Sequence, residues 1–306
     1  MLEYIEKFIN KIVSFGKFKK SEISKKAYEQ LLTSFESLSK NGVVLIPAII
    51  NKVKKLKGLL IMDTTDNPKY GLKKIAIKMK NLSNGGYSKG FKIVLFLYKV
   101  GYKTYPLGFG LIYKGSRKQE ELVLNFLTRL RSDFKLKPEM VIADAGFSTL
   151  EIAKRLNNYG WGFVMKFKKS YKLGNKQIKH QLQRGYGDKI DVLSNGIKVK
   201  AVRRPNRVFI TNRVSLNWQE VLEYYGERWT IEETFRFLKS CIGLDRCQQH
   251  TIKAQGIYIW GCFLSYAVIE EIKDKLKITA YKVWNLLYSG DITIDKSVIE
   301  QTFIPA

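Results

Sequence analysis

Gly58-Leu59-Leu60-Ile61-Met62-Asp63 is where the chain changes character. Upstream, Leu2, Ile5, Phe8, Ile9, Ile12 and Val13 recur at helical spacing, and a second periodic run covers residues 27–38. Asn41-Gly42 breaks that run, and Lys52, Lys54, Lys55 and Lys57 form a basic stretch. Residues 1–57 therefore read as a small helical region, either a DNA-end-binding element or a helical cap on the main domain. From Gly58 the apolar residues become contiguous and close on an acid, the pattern of a buried strand. Residues 91–100 and 105–113 are two more strand-like runs, separated by a turn. An amphipathic helix (119–134), a second apolar run closing on Asp144 (140–144), a helix (149–158) and a fifth strand (161–167) follow. Three adjacent strands, then helix, strand, helix, strand, predict an α/β fold with a mixed five-stranded sheet flanked by helices.

Residues 168–216 break this rhythm with Gly174, Gly185, Gly187 and Gly196, many cations, and alternating stretches at 190–193, 197–202 and 208–214. They read as a β-rich insertion that divides the core into 58–167 and 217–275, with 276–306 as a helix and tail. The second core segment contains Tyr225-Gly226-Glu227-Arg228-Trp229-Thr230-Ile231-Glu232, continuing to Lys239. On one helix, Tyr225, Arg228, Glu232 and Lys239 fall within an arc of about 60°, beside an apolar face of Ile231, Phe235, Leu238 and Ile242. A carboxylate between two cations and a phenol suits a metal held beside a polyanion. A solvated helix with Glu–Arg and Glu–Lys pairs has the same spacing.

Asp63 and Asp144 each close an apolar run, and a carboxylate at a strand's C-terminal end emerges where open α/β sheets place their ligands. Gly146 allows a sharp exit from the second strand. Each Asp also fits an ordinary strand with a turn-initiating residue. Asp66 reads as a turn residue and Tyr224 as core. Trp229 reads as core before base stacking. Arg203, Arg204 and Arg207 fit either a backbone-tracking patch or a solvated loop.

The 225–239 stretch resembles the Tyr-x2-Arg-x3-Glu-x6-Lys signature of the insertion-sequence-four superfamily of DDE transposases. Asp63-Thr64-Thr65 is similar to that family's Asp-x-Thr turn, and Asp144-Ala145-Gly146-Phe147 to its Asp-x-Gly-Phe/Tyr turn. The resemblance spans residues 58–270 and implies an RNase H-like catalytic domain with a β-rich insertion before the Glu helix. It implies Asp63, Asp144 and Glu232 as catalytic and metal-binding carboxylates for two Mg²⁺ (or Mn²⁺) ions, and Tyr225, Arg228 and Lys239 as DNA contacts. The implied substrates are double-stranded terminal inverted repeats and target DNA. One strand is cut at each end and the freed 3′-hydroxyl is used for transesterification, often through a hairpin. Synapsis of two ends implies a homodimer on DNA. A relative that binds DNA without cutting, and an RNase H-like nuclease that cuts without joining, are the alternatives. A phosphatase of the Asp-x-Asp type is disfavoured because Thr65 stands at the third place.

Composition agrees with a polyanionic partner. Among 306 residues, 54 Lys and Arg face 27 Asp and Glu, a formal charge of +27, and the pI is about 9.8. Such an excess calls for nucleic acid or an anionic membrane surface, while 45% hydrophobic and 13% aromatic residues exclude a disordered basic tail. The longest apolar run, 257–269, is shorter than the roughly 20 residues of a membrane span. With no signal-peptide pattern at the start, an intracellular protein of cytoplasm or nucleoid is expected. Cys241, Cys247 and Cys262 suggest no disulfide framework, and with His250 they match no common zinc spacing. With only two histidines, carboxylates must carry any chemistry.

Overall fold

A computed structural model describes residues 6–10, 33, 35–36, 42–69, 74–80, 85–168, 171–177, 187–205 and 207–303. The centre of the molecule is a sheet built on β2 (Leu59–Pro68), β4 (Tyr87–Val100), β5 (Lys103–Ile112), β6 (Met140–Ala143) and β7 (Gly162–Lys166). Their spatial order is β5-β4-β2-β6-β7. β2 runs antiparallel to β4 and parallel to β6, and β6 runs parallel to β7. This is the mixed five-stranded core expected from the element order. The parallel strands are apolar along their length because helices cover both faces. Leu60, Ile61, Met62, Val141, Ile142, Ala143, Phe163 and Val164 are all fully buried. The βαβ connections are made by α2 (Gln119–Ser132) and α3 (Leu150–Asn158), whose Thr149 cap accepts from the Ile152 N–H at 3.2 Å.

The sheet does not stop at five strands. β10 (Gly187–Val192), β11 (Lys198–Arg204) and β12 (Arg207–Thr211) of the insertion continue it. β12 pairs antiparallel with β7, Ile210 against Met165, giving a sheet of ten strands that includes β3 (Ile77–Lys80) beside β4. An unpaired β7 would leave a row of backbone donors and acceptors beside a buried apolar surface, and β12 satisfies them. β8 (Lys172–Leu173) and β9 (Lys176–Gln177) form a separate small ribbon.

At the opposite edge the 1–57 region departs from an all-helical reading. Val43–Leu45 is a strand, β1, paired antiparallel with β5 in the register Val44↔Phe109. Close approach there needs Gly108, where an added Cβ would lie 2.3 Å from the Val44 carbonyl oxygen. The Arg129 guanidinium of α2 donates to the Val43 carbonyl at 3.1 Å. Helix α1 (Pro47–Val53) follows at once, with Pro47 in its first turn, and packs on β5. Most of the two N-terminal periodic runs lies outside the described residues. Residues 6–10 are helical, and the Phe8 ring fills the space left by Gly261.

The last part of the chain supplies α4 (Trp218–Gly226), α5 (Trp229–Phe237), a π-helical turn (Leu238–Ile242), α6 (Ile252–Leu276), α7 (Ala280–Ser289) and α8 (Lys296–Phe303). The 25-residue α6 outruns the 257–269 stretch and, among the described residues, is long and apolar enough to cross a membrane by length and composition. Here it is a core helix, packed on β5 with 78% of its apolar window buried. Its buried Glu270 accepts from the Thr104 N–H and from Lys273 Nζ, both at 3.0 Å.

Candidate active site

Asp63 does not end its strand. β2 pairs with β4 as far as Pro68, but its pairing with β6 ends at Met62↔Ala143. Beyond that point β2 continues alone on its β6 side, and Asp63 and Asp144 stand at the mouth of the resulting fork. Asp66 is therefore a strand residue opposite Lys92, with Lys92 Nζ 3.6 Å from its carboxylate, and not a turn residue. Asp144 leaves β6 in a tight turn closed by the Phe147 N–H on the Asp144 carbonyl at 2.9 Å. Gly146 is not what permits this turn. It has no positive φ, and a Cβ there would meet only Gln119 Nε2 at 3.5 Å. Buried Phe147 and Ser148 anchor the turn instead, Ser148 Oγ donating to the Asp144 carbonyl at 3.1 Å.

The third carboxylate arrives on α5, which runs on directly into the π turn that carries Lys239 but is separate from the helix that carries Tyr225. Tyr225 belongs to α4, whose Asn217–Glu220 capping box sets its start. Glu227 and Arg228 form a tightened turn in which the Arg228 N–H donates to the Tyr225 carbonyl at 3.1 Å. Both keep right-handed helical dihedrals, so the chain turns little and the polar side chains stay on one side. Lys239 lies in the π turn, a register change that recurs at functional sites. Lys99 of β4 reaches both Glu227 and Thr230, fastening this junction to the sheet.

Arg228 is the hub of the site. Its Nη1 donates to Asp63 Oδ2 at 2.8 Å and its Nη2 to Glu232 Oε1, while its buried Nε has no hydrogen-bond partner. The Tyr225 hydroxyl donates to Asp144 Oδ1 at 3.2 Å, and the Arg228 guanidinium lies 5.6 Å from the Tyr225 ring centroid. Lys166, at the end of β7, stands 3.5 Å from Asp144 Oδ1. One guanidinium, one phenol and one ammonium thus join Asp63, Asp144 and Glu232 into a single network.

The two aspartates titrate in opposite directions. Burial pushes Asp63 up, assisted by the negative charge of Asp144, and outweighs the Thr64 N–H and Arg228. Burial also raises Asp144, but the Ala145 N–H, Lys166, Arg228 and Tyr225 together hold it below the usual carboxylate range. Burial and the Asp144 charge drive the Tyr225 phenol well upward, so it is a donor at neutral pH. Burial lowers Lys239, whose Nζ donates to the Asp66 carbonyl at 3.0 Å.

Three carboxylates are the hard-oxygen donor set that Mg²⁺ or Mn²⁺ takes, and a cation already sits between two of them. The donor chemistry fits. The arrangement is not closed round one point: among the described residues no three acidic, His or Cys side chains converge as metal ligands, since Asp63 and Glu232 face Arg228.

Two side chains depart from the sequence expectations. Trp229 is not core: it is 52% exposed, and Arg236 covers its ring at 5.5 Å. Tyr224 is only partly buried, its hydroxyl donating to Glu139 at 3.0 Å. Lys166 was not foreseen, although the parallel register Ala143↔Met165 places it beside Asp144. Trp218, 42% exposed with the Arg204 guanidinium 4.1 Å from its ring centroid, was also not foreseen.

Residues 54–268 match the protein family described as the transposase DDE domain. No curated protein matches the chain. Among solved structures, a piggyBac transposase in a synaptic complex with hairpin DNA is similar over 99% of this chain and 71% of its own, with a TM-score of 0.52 and 12% identity. At that identity the likeness is one of fold, and it agrees with an RNase H-like α/β domain. A Drosophila P element transposase strand transfer complex (12% identity, 50% of this chain and 36% of that one, TM-score 0.25) and human endonuclease V (12%, 69% and 96%, TM-score 0.30) overlap too loosely to add weight.

Proposed function

The chain belongs to the transposase DDE domain family, and on that premise we propose that it is the transposase of an insertion sequence in the insertion-sequence-four superfamily. It cuts double-stranded DNA at terminal inverted repeats and joins the freed 3′ ends to target DNA, in the cytoplasm or nucleoid, as a homodimer when two ends are synapsed. The observation that carries this reading is the network at the β2–β6 fork. Asp63, Asp144 and Glu232, from three distant stretches of sequence, are tied together by Tyr225 and Arg228 of the same signature.

Asp63, Asp144 and Glu232 would hold the divalent cations, Mg²⁺ or Mn²⁺, two per site. When bound, such cations activate the attacking oxygen and stabilise the leaving one during in-line displacement. Tyr225 orients Asp144 through its hydroxyl, and the Ala145 N–H, Lys166 and Arg228 with it outweigh burial and hold that carboxyl low. The Arg228 fork matches a phosphate, and Lys239 supplies a second charge at the end of the same polar stripe. Exposed Trp229, braced by Arg236, offers a stacking face for an unpaired base. Residues 1–57 and the 168–216 insertion serve as flanking units to the 58–167 and 217–275 core, with 276–306 as the closing tail.

The test is cleavage of a labelled duplex carrying the inverted repeat that flanks the gene, with Mg²⁺ or Mn²⁺, comparing wild type with Asp144→Asn. Metal-dependent nicking at the repeat boundary, absent in the variant, is the expected result. Tight binding with no cutting by either protein would replace the enzyme with a DNA-binding relative.

A further inference from the structure

Arg228 carries a contact pattern that a purely DNA-binding arginine has no need of. Its two terminal nitrogens are both spent on the proposed metal carboxylates, Nη1 on Asp63 and Nη2 on Glu232, while Nε has no partner. The side chain is four-fifths shielded, so these are desolvated ion pairs and not a passing surface contact. The guanidinium therefore occupies the gap between two of the carboxylates that would hold a hard cation. A cation entering that gap competes with Arg228 for its place beside Asp63 Oδ2 and Glu232 Oε1. A phosphate changes the balance. It accepts from a guanidinium through two parallel bonds, and at the edge made of Nε and Nη2 it would compete with Glu232 for the side chain. The unpaired Nε–H is the half of that edge already free.

We infer that Arg228 is the resident counter-cation of the carboxylate site and is exchanged for a divalent cation when a DNA phosphate draws it away, so that metal and DNA bind cooperatively. This rests on the transposase reading above. It adds that the free protein resists metal loading until DNA is present, and that one side chain sets the coupling. The other cations at the site lack this property. Among the described residues the one carboxylate that Lys166 pairs with is Asp144, and Lys239 binds the Asp66 backbone.

The experiment is Mn²⁺ binding to the free full-length protein, followed by electron paramagnetic resonance and calorimetry, for wild type, Arg228→Gln, Arg228→Lys and Asp63→Asn. Thermal melts in each case confirm folding. Removing the guanidinium bridge is expected to tighten Mn²⁺ binding tenfold or more in Arg228→Gln. Arg228→Lys should gain as well, because an ammonium keeps the charge but cannot span both carboxylates. Adding a duplex oligonucleotide should tighten Mn²⁺ binding to wild type and have little further effect on Arg228→Lys. Equal or weaker binding by Arg228→Gln overturns the exchange. A gain in Arg228→Gln without one in Arg228→Lys also overturns it, because bulk charge would then explain the effect. If no variant shows an Mn²⁺ site that Asp63→Asn removes, the carboxylate-site reading itself falls, a result distinct from failure of the exchange alone.

Discussion

The docking of α5, which carries Glu232, depends on a buried hydroxyl chain whose disruption has a calculable cost. The Tyr266 hydroxyl lies 2.6 Å from Thr104 Oγ1 and 3.2 Å from Thr234 Oγ1. Thr104, Thr234 and Tyr266 are 4%, 3% and 4% exposed, so water cannot substitute for a lost partner. Thr234 Oγ1 already donates to the Thr230 carbonyl at 2.9 Å, so it accepts from Tyr266, and Thr104 must then donate to Tyr266. Tyr266→Phe leaves an unpaired donor on Thr104 and an unfilled acceptor on Thr234. Each such buried orphan costs about 1–3 kcal/mol, so a loss of roughly 2–6 kcal/mol is expected for the two. For a chain of 306 residues that lowers Tm by roughly 3–9 °C. Adding Thr104→Val removes one orphan, so Tyr266→Phe/Thr104→Val should be no less stable than Tyr266→Phe alone. Urea titrations of wild type, the two single variants and the double variant measure this. Strict additivity, within about 0.5 kcal/mol, would refute the chain of hydroxyls and leave α5 held by apolar packing alone.

Three further perturbations have definite outcomes. Glu271 Oε2 meets Lys52 Nζ at 2.8 Å and Lys103 Nζ at 2.9 Å; burial raises this carboxyl, but the two lysines outweigh it and hold it low. A depressed acid stabilises above its unfolded value, near pH 4.3, and loses that contribution as pH falls through its folded value. Glu271→Gln should therefore be less stable than wild type at pH 7 by about 1–3 kcal/mol, with the gap closing below about pH 4 in urea melts; a pH-independent gap would contradict the ion pairs. Gly108→Ala forces a Cβ to within 2.3 Å of the Val44 carbonyl and should cost about 1–3 kcal/mol, whereas Gly146→Ala, with room at 3.5 Å, should melt within about 0.5 kcal/mol of wild type. Trp229→Ala should leave Tm nearly unchanged because the ring is 52% exposed, yet weaken binding to single-stranded oligonucleotides by about 1–3 kcal/mol; unchanged affinity would remove it from the interface.

Much of this architecture is written locally. Contiguous apolar runs marked β2, β6 and β7, and the order of strands and helices marked the five-stranded core. What escaped depends on partners far away in sequence. Val43-Val44-Leu45 is too short to declare itself a strand, and only the close approach that Gly108 allows on β5 makes it one. The insertion strands alternate as expected, but nothing local says that β12 joins the edge of β7. At the site, the apolar run closes on Asp63, but the strand does not. β2 runs on because β4 accompanies it to Pro68, a cross-strand fact invisible in the run 58–63. Trp229 was placed in the core by its position beside a charged stripe on an ideal helix. In the fold that side of the helix faces outward: the ring is 52% exposed and Arg236 lies over it.

The order in which these parts leave the ribosome follows from where they sit. β5 is made early, yet α6, the helix packed on it, and the segment that delivers Glu232 are made late. A nascent chain therefore carries an unshielded apolar sheet for most of its synthesis, with the slow, long-range closure that invites chaperone capture. It also carries no complete set of carboxylates in that interval. A polypeptide interrupted before Arg228 lacks both that residue and Glu232, so premature termination there yields a protein unable to assemble the proposed cutting centre.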